Sequence, residues 1–236
     1  MKKAFVLSAG LGTRLQPLTD TIPKPLIAID GKPLMDHWLK LFLSHGINSL
    51  CINSHHLHDA MIRYVETISP EFEVQLVYEE KLLGSAGTLL RNKEFVKGED
   101  EFLVVYADNL TNANLTALAK KHREGEYVAT LGLFRTEFPQ ACGIAEVDEN
   151  GMVIHFIEKP KEPKSNLAFC GLMVASPKLF EWIPEKIPCD LGKDILPKLS
   201  GKMGSYELKE YLRDIGDAMS YEKAQKEWAE LQRGTK

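Results

Sequence analysis

The sequence predicts an α/β fold built on a largely parallel sheet. Three observations carry that expectation. Short apolar runs of strand character alternate with amphipathic stretches, as strands joined by crossover helices require. A glycine-rich turn follows the first apolar run. The chain has 236 residues, enough to bury a core without disulfide or metal staples.

The first strand is Lys3 to Leu7, and the turn after it carries Gly10, Gly12 and Arg14. A second apolar run, Leu26-Ile27-Ala28-Ile29, ends at the turn Asp30-Gly31-Lys32. A helix is expected from Leu34 to His45, because Leu34, Trp38, Leu41 and Phe42 share one face and Gly46 stands at its end. Strands follow at 49–53, 74–79, 102–108 and 127–134, with a helix over 58–68 between the first two. The later chain changes character. Residues 143–160 read as a hairpin around Glu149-Asn150-Gly151, and 169–175 as a further strand, so antiparallel pieces join the sheet. A charged amphipathic helix covers 220–232. With no repeat, low-complexity tract or long linker, residues 1–236 are read as one domain.

Composition narrows the function. The chain is 44% hydrophobic and 26% charged with a formal net charge of -4, which leaves no basic footprint for nucleic acid or a polybasic membrane patch. No apolar run approaches the roughly 18 residues of a membrane span, and the N-terminal one stops at Ala9, too soon for a signal peptide. Cys51, Cys142, Cys170 and Cys189 are widely spaced with no CxxC pair, which points to reduced thiols, a cytoplasmic protein and no structural zinc. His55, His56 and His58 read as an exposed loop entering a helix, since no Cys or carboxylate spacing completes a metal site.

Residues 7–26 read LSAGLGTRLQPLTDTIPKPL. Leu15 occupies the place of the third glycine in a dinucleotide fingerprint, and the Gly-Lys-Ser/Thr of a P-loop is missing. What remains is a loop whose N–H groups can hold phosphate oxygens, with Arg14 as a bidentate fork. The plain alternative is an ordinary strand-to-helix turn. Lys24 lies between Pro23 and Pro25, which fix their own φ and push Lys24 toward an extended conformation, so a flexible cation has a stiff mount. Asp108 follows an apolar strand and should stand at its carboxyl end, where open α/β sheets bind ligands. Glu158-Lys159-Pro160 alone would be a surface charge pair.

That stretch, together with EEKLLGSAGTL (79–89), YADN (106–109), CGIAEVDENG (142–151), FIEKP (156–160), CGLMV (170–174) and YLRDIG (211–216), resembles the signature of the sugar-1-phosphate nucleotidyltransferases. The pieces occur in family order over nearly the whole chain. The resemblance implies a Rossmann-like three-layer sandwich with a mostly parallel mixed sheet. It also implies that a sugar 1-phosphate attacks the α-phosphate of a nucleoside triphosphate, releasing pyrophosphate under Mg²⁺. Such transfer needs positioning and charge neutralisation more than a covalent intermediate.

By matching position, Ala9, Gly10, Leu11, Gly12 and Thr13 would cradle the nucleotide, with Glu79, Gly84, Ser85 and Gly87 on its far wall. Arg14 would stabilise the departing pyrophosphate, Lys24 the α-phosphate, and Lys159 the sugar phosphate. Asp108 and Asp214 would hold Mg²⁺. Asn109, Gly143, Glu158, Asn166 and Gly171 would approach the sugar.

LLGSAGT is similar to the loop of mannose and heptose 1-phosphate guanylyltransferases. A carboxylate such as Glu79 or Glu80 can accept from guanine N1–H and N2–H together, so GTP with a manno-configured sugar is the expected pair. UTP or dTTP with a glucose-type sugar, a cytidylyltransferase on a non-sugar phosphate, and an inactive regulatory relative are the alternatives. Ser8, where relatives more often have Ala or Gly, and the IGDAMSY turn with Asp217 depart from the pattern. The short stretch after Asp214 is expected to exclude a left-handed β-helix domain and its acetyltransferase activity. The oligomeric state is left open.

Overall fold

The computed structural model describes residues 1–234. Its strands are β1 (Lys3–Leu7), β2 (Ala28–Ile29), β3 (Lys32–Pro33), β4 (Ser49–Ser54), β5 (Glu73–Tyr78), β6 (Phe102–Tyr106), β7 (Asn109–Thr111), β8 (Ala129–Arg135), β9 (Gly143–Val147), β10 (Met152–Glu158), β11 (Leu167–Ala175), β12 (Met203–Glu207) and β13 (Leu212–Asp214). Its α-helices are α1 (Leu34–Ser44), α2 (His58–Val65), α3 (Ser85–Arg91), α4 (Leu115–Arg123) and α5 (Ala218–Gly234). None is long and apolar enough to cross a membrane.

A nine-stranded sheet runs in the order β5-β4-β1-β6-β11-β8-β12-β10-β9. The β5-β4-β1-β6 half is parallel. Beyond it β11 is antiparallel to β6, β8 and β9, and β10 is antiparallel to β12 and β9, with β8–β12 the parallel pair on that side. The sheet is therefore mixed, and less parallel than expected. The physical reason is connectivity: β9 and β10 form the hairpin turning at Gly151 (φ +82°), which needs no crossover helix.

Alternation along β1 places the two cores. Ala4 and Val6 pack on one face with Trp38 and Phe42 of α1, Met61 of α2, Leu118 of α4 and Trp228 of α5. Phe5 faces the other way, with Leu89 of α3, Leu179 and Ile195. Every residue of β4 is buried, as expected of an interior parallel strand covered on both faces.

Two expectations are corrected. Only Ala28 and Ile29 of the 26–29 run are in a strand, paired with Lys32–Pro33 off the main sheet. Lys24 is not extended: Leu26 N–H donates to Pro23 C=O (2.8 Å), closing a 3-10 turn over Lys24–Leu26, and the extended residue is Pro23 (ψ 140°). The elements α3, α4 and β12 were not anticipated from the sequence. For α4 the signal was present, since Asn114 Oδ1 caps it by accepting from Ala117 N–H (2.9 Å) and basic residues fill its last turn.

Arg123 at the end of α4 donates from Nε to both oxygens of buried Glu101, at 3.1 and 3.0 Å, and ties that helix to the start of β6. Burial pushes the Glu101 carboxyl up, but the Arg123 bonds and charge, together with the Met1 ammonium 3.3 Å away, outweigh it and hold the group below its ordinary value. A depressed carboxyl contributes stability above its unfolded pKa and loses it as pH falls through the folded pKa. Glu101→Gln should therefore cost about 1–3 kcal/mol at neutral pH. In urea melts at falling pH, that difference should shrink below about 4.5.

Candidate active site

β1 lies between β4 and β6, so the chain leaves the sheet at a central carboxyl end and enters the glycine loop at Ser8. Gly12 has φ +66°, and a Cβ there would stand 2.8 Å from Thr19 Cγ2. Thr19 Oγ1 also donates to Gly12 O (2.8 Å), so the loop is closed by its own chain and needs glycine at that turn. A Cβ on Gly10 would meet nothing within 4 Å. The loop is thus open at Gly10, and Thr13–Leu15 forms a 3-10 turn carrying exposed Arg14.

Lys24 Nζ donates to Asp108 Oδ2 at 2.7 Å and lies 3.9 Å from Asp214 Oδ1; its side chain is only 10% exposed. Asp108 follows β6, whereas Asp214 ends β13, which pairs antiparallel with β7 so that Asp214 stands opposite Asn109. Ile215 N–H donates to Asp108 C=O (2.8 Å), fastening the two aspartate segments together. Arg14 Nη2 lies 3.1 Å from where a Cβ on Gly216 would be. Desolvation in the cleft and the Asp108 charge push the Asp214 carboxyl up, while Lys24 and Arg14 pull it back. Two carboxylates converging on one cation, here the Lys24 ammonium, are a donor set that also suits a hard divalent ion.

The second end of the site is Glu158-Lys159. Glu158 pairs with Gly143 across β9–β10, and its Oε2 lies 2.6 Å from the Cβ position of Gly143 and 2.7 Å from that of Gly192. Burial raises the Glu158 carboxyl, opposed by Lys159 and reinforced by Asp190. Lys159 itself sits in the left-handed region (φ +50°), held there by its N–H donating to Cys142 C=O at 3.0 Å. Such backbone strain costs of order 1 kcal/mol and persists where surrounding bonds enforce it. The neighbouring Cys142 thiol is pushed up by burial, away from the nucleophilic thiolate.

Asp190 was not singled out from the sequence. Its Oδ2 accepts from Ser85 Oγ (3.0 Å), while Oδ1 accepts from Lys193 N–H (3.0 Å) at a π-helical turn, Leu191–Ile195. It caps that turn, and its meeting with Ser85, far away in the chain, leaves no local trace.

Several expected contact residues serve the scaffold. Glu79 is 4% exposed. Its Oε1 accepts from Asn53 Nδ2 (2.8 Å) and Thr88 Oγ1, and its Oε2 from Leu83 N–H (3.0 Å). With Oε1 filled, a bond on each oxygen of Glu79 to guanine N1–H and N2–H is not available, which corrects the argument for GTP at Glu79 and leaves it to exposed Glu80. Ala86 and Gly87 N–H both donate to Cys189 C=O (3.0 and 3.1 Å), next to Gly84, so Gly87 braces the loop. Ser85 Oγ is likewise engaged, accepting from Leu191 N–H (2.7 Å). Asn166 Oδ1 accepts from Arg135 Nη1 (3.2 Å), which Glu207 holds, and this is a rim contact. Gly171 (φ +73°) leaves room for the Asn109 amide, 2.8 Å from its Cβ position, so Asn109 is a buried brace beneath the site.

His55 Nδ1 bonds Glu79 C=O (2.7 Å), His56 Nε2 Thr19 C=O (3.3 Å) and His58 Nδ1 Ser54 Oγ (2.7 Å), so the three rings do not converge. Among the described residues no group of three or more His, Cys, Asp or Glu is arranged to hold a metal.

Ala9, Gly10, Glu79, Gly84, Ser85 and Asp108 line a cleft of about 260 Å³. A larger hollow of about 1060 Å³ shares Glu79 but is lined by none of Arg14, Lys24, Asp108, Asp214, Glu158 or Lys159. Of those six residues, Asp108 lines the smaller cleft.

The chain belongs to the nucleotidyl transferase family, whose model matches residues 3–230. It is 36% identical over 214 residues to a Synechocystis protein named UTP–glucose-1-phosphate uridylyltransferase, covering 84% of this chain and 55% of that protein. It is 29% identical to the mannose-1-phosphate guanylyltransferase catalytic subunit beta of Drosophila pseudoobscura, covering 93% of this chain and 60% of the relative. The chain thus spans a little over half the length of these relatives. In fold it is similar to HddC from Yersinia pseudotuberculosis, solved with GMP-PN, at TM-score 0.81 and 23% identity over 97% of this chain and all of that one.

Two outcomes follow from the Glu158 end. In the nucleotidyl transfer proposed below, Gly143→Ala should displace the Glu158 carboxyl and raise KM for a sugar 1-phosphate by about tenfold, with KM for the nucleotide nearly unchanged. Lys159→Gly should lose most turnover yet melt at or slightly above the wild-type temperature, because glycine relieves the left-handed strain. A marked fall in Tm would refute the strain argument.

Proposed function

We propose that the protein is a sugar-1-phosphate nucleotidyltransferase that joins a nucleoside triphosphate to a sugar 1-phosphate and releases pyrophosphate. The observation that carries the reading is the meeting of Lys24 with Asp108 and Asp214 beside Arg14. Both cations flank an open glycine loop, and Glu158-Lys159 forms a second charged end. In the reaction an oxygen of the sugar 1-phosphate forms a bond to the α-phosphorus as the bond to pyrophosphate breaks. Arg14 takes the charge that grows on the departing pyrophosphate, and Lys24, released from Asp108, turns to the α-phosphate. Lys159 orients the attacking phosphate and Glu158 the sugar hydroxyls. No side-chain nucleophile is needed, which agrees with the raised Cys142 thiol.

Asp108 and Asp214 fit Mg²⁺, which takes few protein carboxylates and keeps the rest of its shell for water and phosphate oxygens. When bound, it would supply charge neutralisation across the phosphates. The four free cysteines support a reducing compartment, the cytoplasm.

For the substrate pair, the occupied Glu79 carboxyl removes one reason to favour guanine, leaving Glu80 and the LLGSAGT loop. The relative at 36% identity is named for UTP and glucose 1-phosphate. We therefore rank UTP or dTTP with a glucose-type 1-phosphate ahead of GTP with a manno-configured one. Pyrophosphate release across a matrix of triphosphates and sugar 1-phosphates decides the order. A preference for GTP with mannose 1-phosphate of about tenfold or more in kcat/KM would reverse it. No release with any pair would overturn the reaction class.

Lys24→Met and Arg14→Ala should each lower kcat by about 10² to 10³ in a folded protein, and near-normal turnover would remove that residue from the catalytic set. Asp108→Asn and Asp214→Asn should both weaken the dependence on Mg²⁺. Together they should be little worse than the poorer single variant, because two ligands of one ion act as a unit. Additive losses would argue against a shared ion.

A further inference from the structure

Asn53, at the end of β4, has no role in the chemistry above, yet its polar atoms join three walls of the nucleotide cleft. Its Oδ1 accepts from Ser8 N–H (2.6 Å), the first residue of the glycine loop, and its C=O accepts from Ser8 Oγ. Its Nδ2 donates to Glu79 Oε1 (2.8 Å) beyond β5 and to Thr88 Oγ1 (3.2 Å) of α3. Asn53, Glu79 and Thr88 are all buried, at 4%, 4% and 2% exposure. Among the described residues, the Glu79 carboxylate is met only by neutral donors, Asn53, Thr88 and Leu83 N–H. Burying a carboxylate without a cation costs several kcal/mol, so such a network is a poor way to gain stability. It is an effective way to fix geometry, because a half-satisfied arrangement is heavily penalised.

We infer that Asn53 is a positioning residue that sets the spacing between the glycine loop and the Glu79 wall, and so the affinity for the nucleotide. The inference rests on the proposed nucleotidyl transfer. Ser8 joins the same bracket: its hydroxyl adds a bond that Ala or Gly could not make.

The bracket can be inverted without losing a bond. In Asn53→Asp/Glu79→Gln, the new amide at position 79 would donate to the new carboxylate at position 53. That carboxylate would still accept from Ser8 N–H, and the amide oxygen at position 79 would still accept from Leu83 N–H. The buried charge is kept and only its owner changes. Asn53→Asp alone sets two carboxylates against each other, and Glu79→Gln alone turns its amide N–H₂ on either the Asn53 N–H₂ or Leu83 N–H.

The test is calorimetric titration of wild type, both single variants and the double variant with UTP and with GTP, each with Mg²⁺, alongside KM for glucose 1-phosphate and mannose 1-phosphate. Each single variant should weaken nucleotide binding about tenfold or more, and the double should return to within about threefold of wild type. KM for the sugar 1-phosphates should stay within about threefold throughout, which a merely structural defect would not leave untouched. If a single variant fails to fold, the double and Ser8→Ala still decide. Ser8→Ala should weaken nucleotide binding by about threefold or more, since it removes one bond of about 1 kcal/mol and buries no new charge. A double variant no better than the poorer single, unchanged nucleotide affinity in Ser8→Ala, or parallel losses for both substrates overturns the inference. Absence of any nucleotide binding by the wild type would instead overturn the proposed function, and this inference with it.

Discussion

The Lys24 ammonium, held between Asp108 and Asp214, is the constraint on which the rest of the site depends. The three groups come from distant segments: a 3-10 turn after the glycine loop, the exit of β6 and the end of β13. Like charges on the two aspartates would drive those segments apart without a cation between them. The β7–β13 pairing and the bond from Ile215 N–H to Asp108 C=O hold the carboxylates close, and Lys24 makes that closeness tolerable. The same arrangement explains why the Asp214 carboxyl is pushed up despite two nearby cations. A site organised in this way is prepared to receive highly charged phosphates together with a counter-ion.

The two ends of the cleft are held by different physical means. At the Lys24 end, charges range from exposed Arg14 to the largely covered Lys24 ammonium, and close approach depends on turns such as Gly12 at φ +66°. At the Glu158 end a carboxyl is squeezed between two glycines and the next residue is kept in a strained conformation. Between them, the Asn53 bracket is neutral apart from one buried carboxylate, and its bonds have defined lengths and directions. Strain and buried polarity are both costly. They also occur elsewhere, in buried Glu101 and in Leu57 at φ +54°, while the two cores on either side of β1 are conventionally apolar.

Where a local pattern determines the outcome, the sequence was readable. The alternation in β1, the glycine loop, α1 with its apolar face and the Gly151 hairpin follow from neighbours in the chain, and Asp108 follows from the strand before it. Asp214 was legible only through resemblance, because its partner across the β7–β13 ribbon is remote. Glu79 was misread for the same reason: nothing in Tyr78-Glu79-Glu80 reveals that Asn53 and Thr88 fill one of its oxygens. Lys24 was placed on the right mount in the wrong conformation, since the bond from Leu26 N–H to Pro23 C=O outweighs the preference imposed by Pro25. Asp190 was not read from the sequence: it caps a π-helical turn locally, but its second bond needs Ser85.

The central claim is that this cleft works by position and charge alone, with a single displacement at the α-phosphorus and no covalent enzyme intermediate. The most direct measurement is the stereochemical course with a nucleoside triphosphate carrying sulfur on a chiral α-phosphorus, turned over with a sugar 1-phosphate. One in-line displacement inverts that centre. Inversion is the predicted result, and retention, which requires two successive displacements through a nucleotidylated side chain, would contradict the claim.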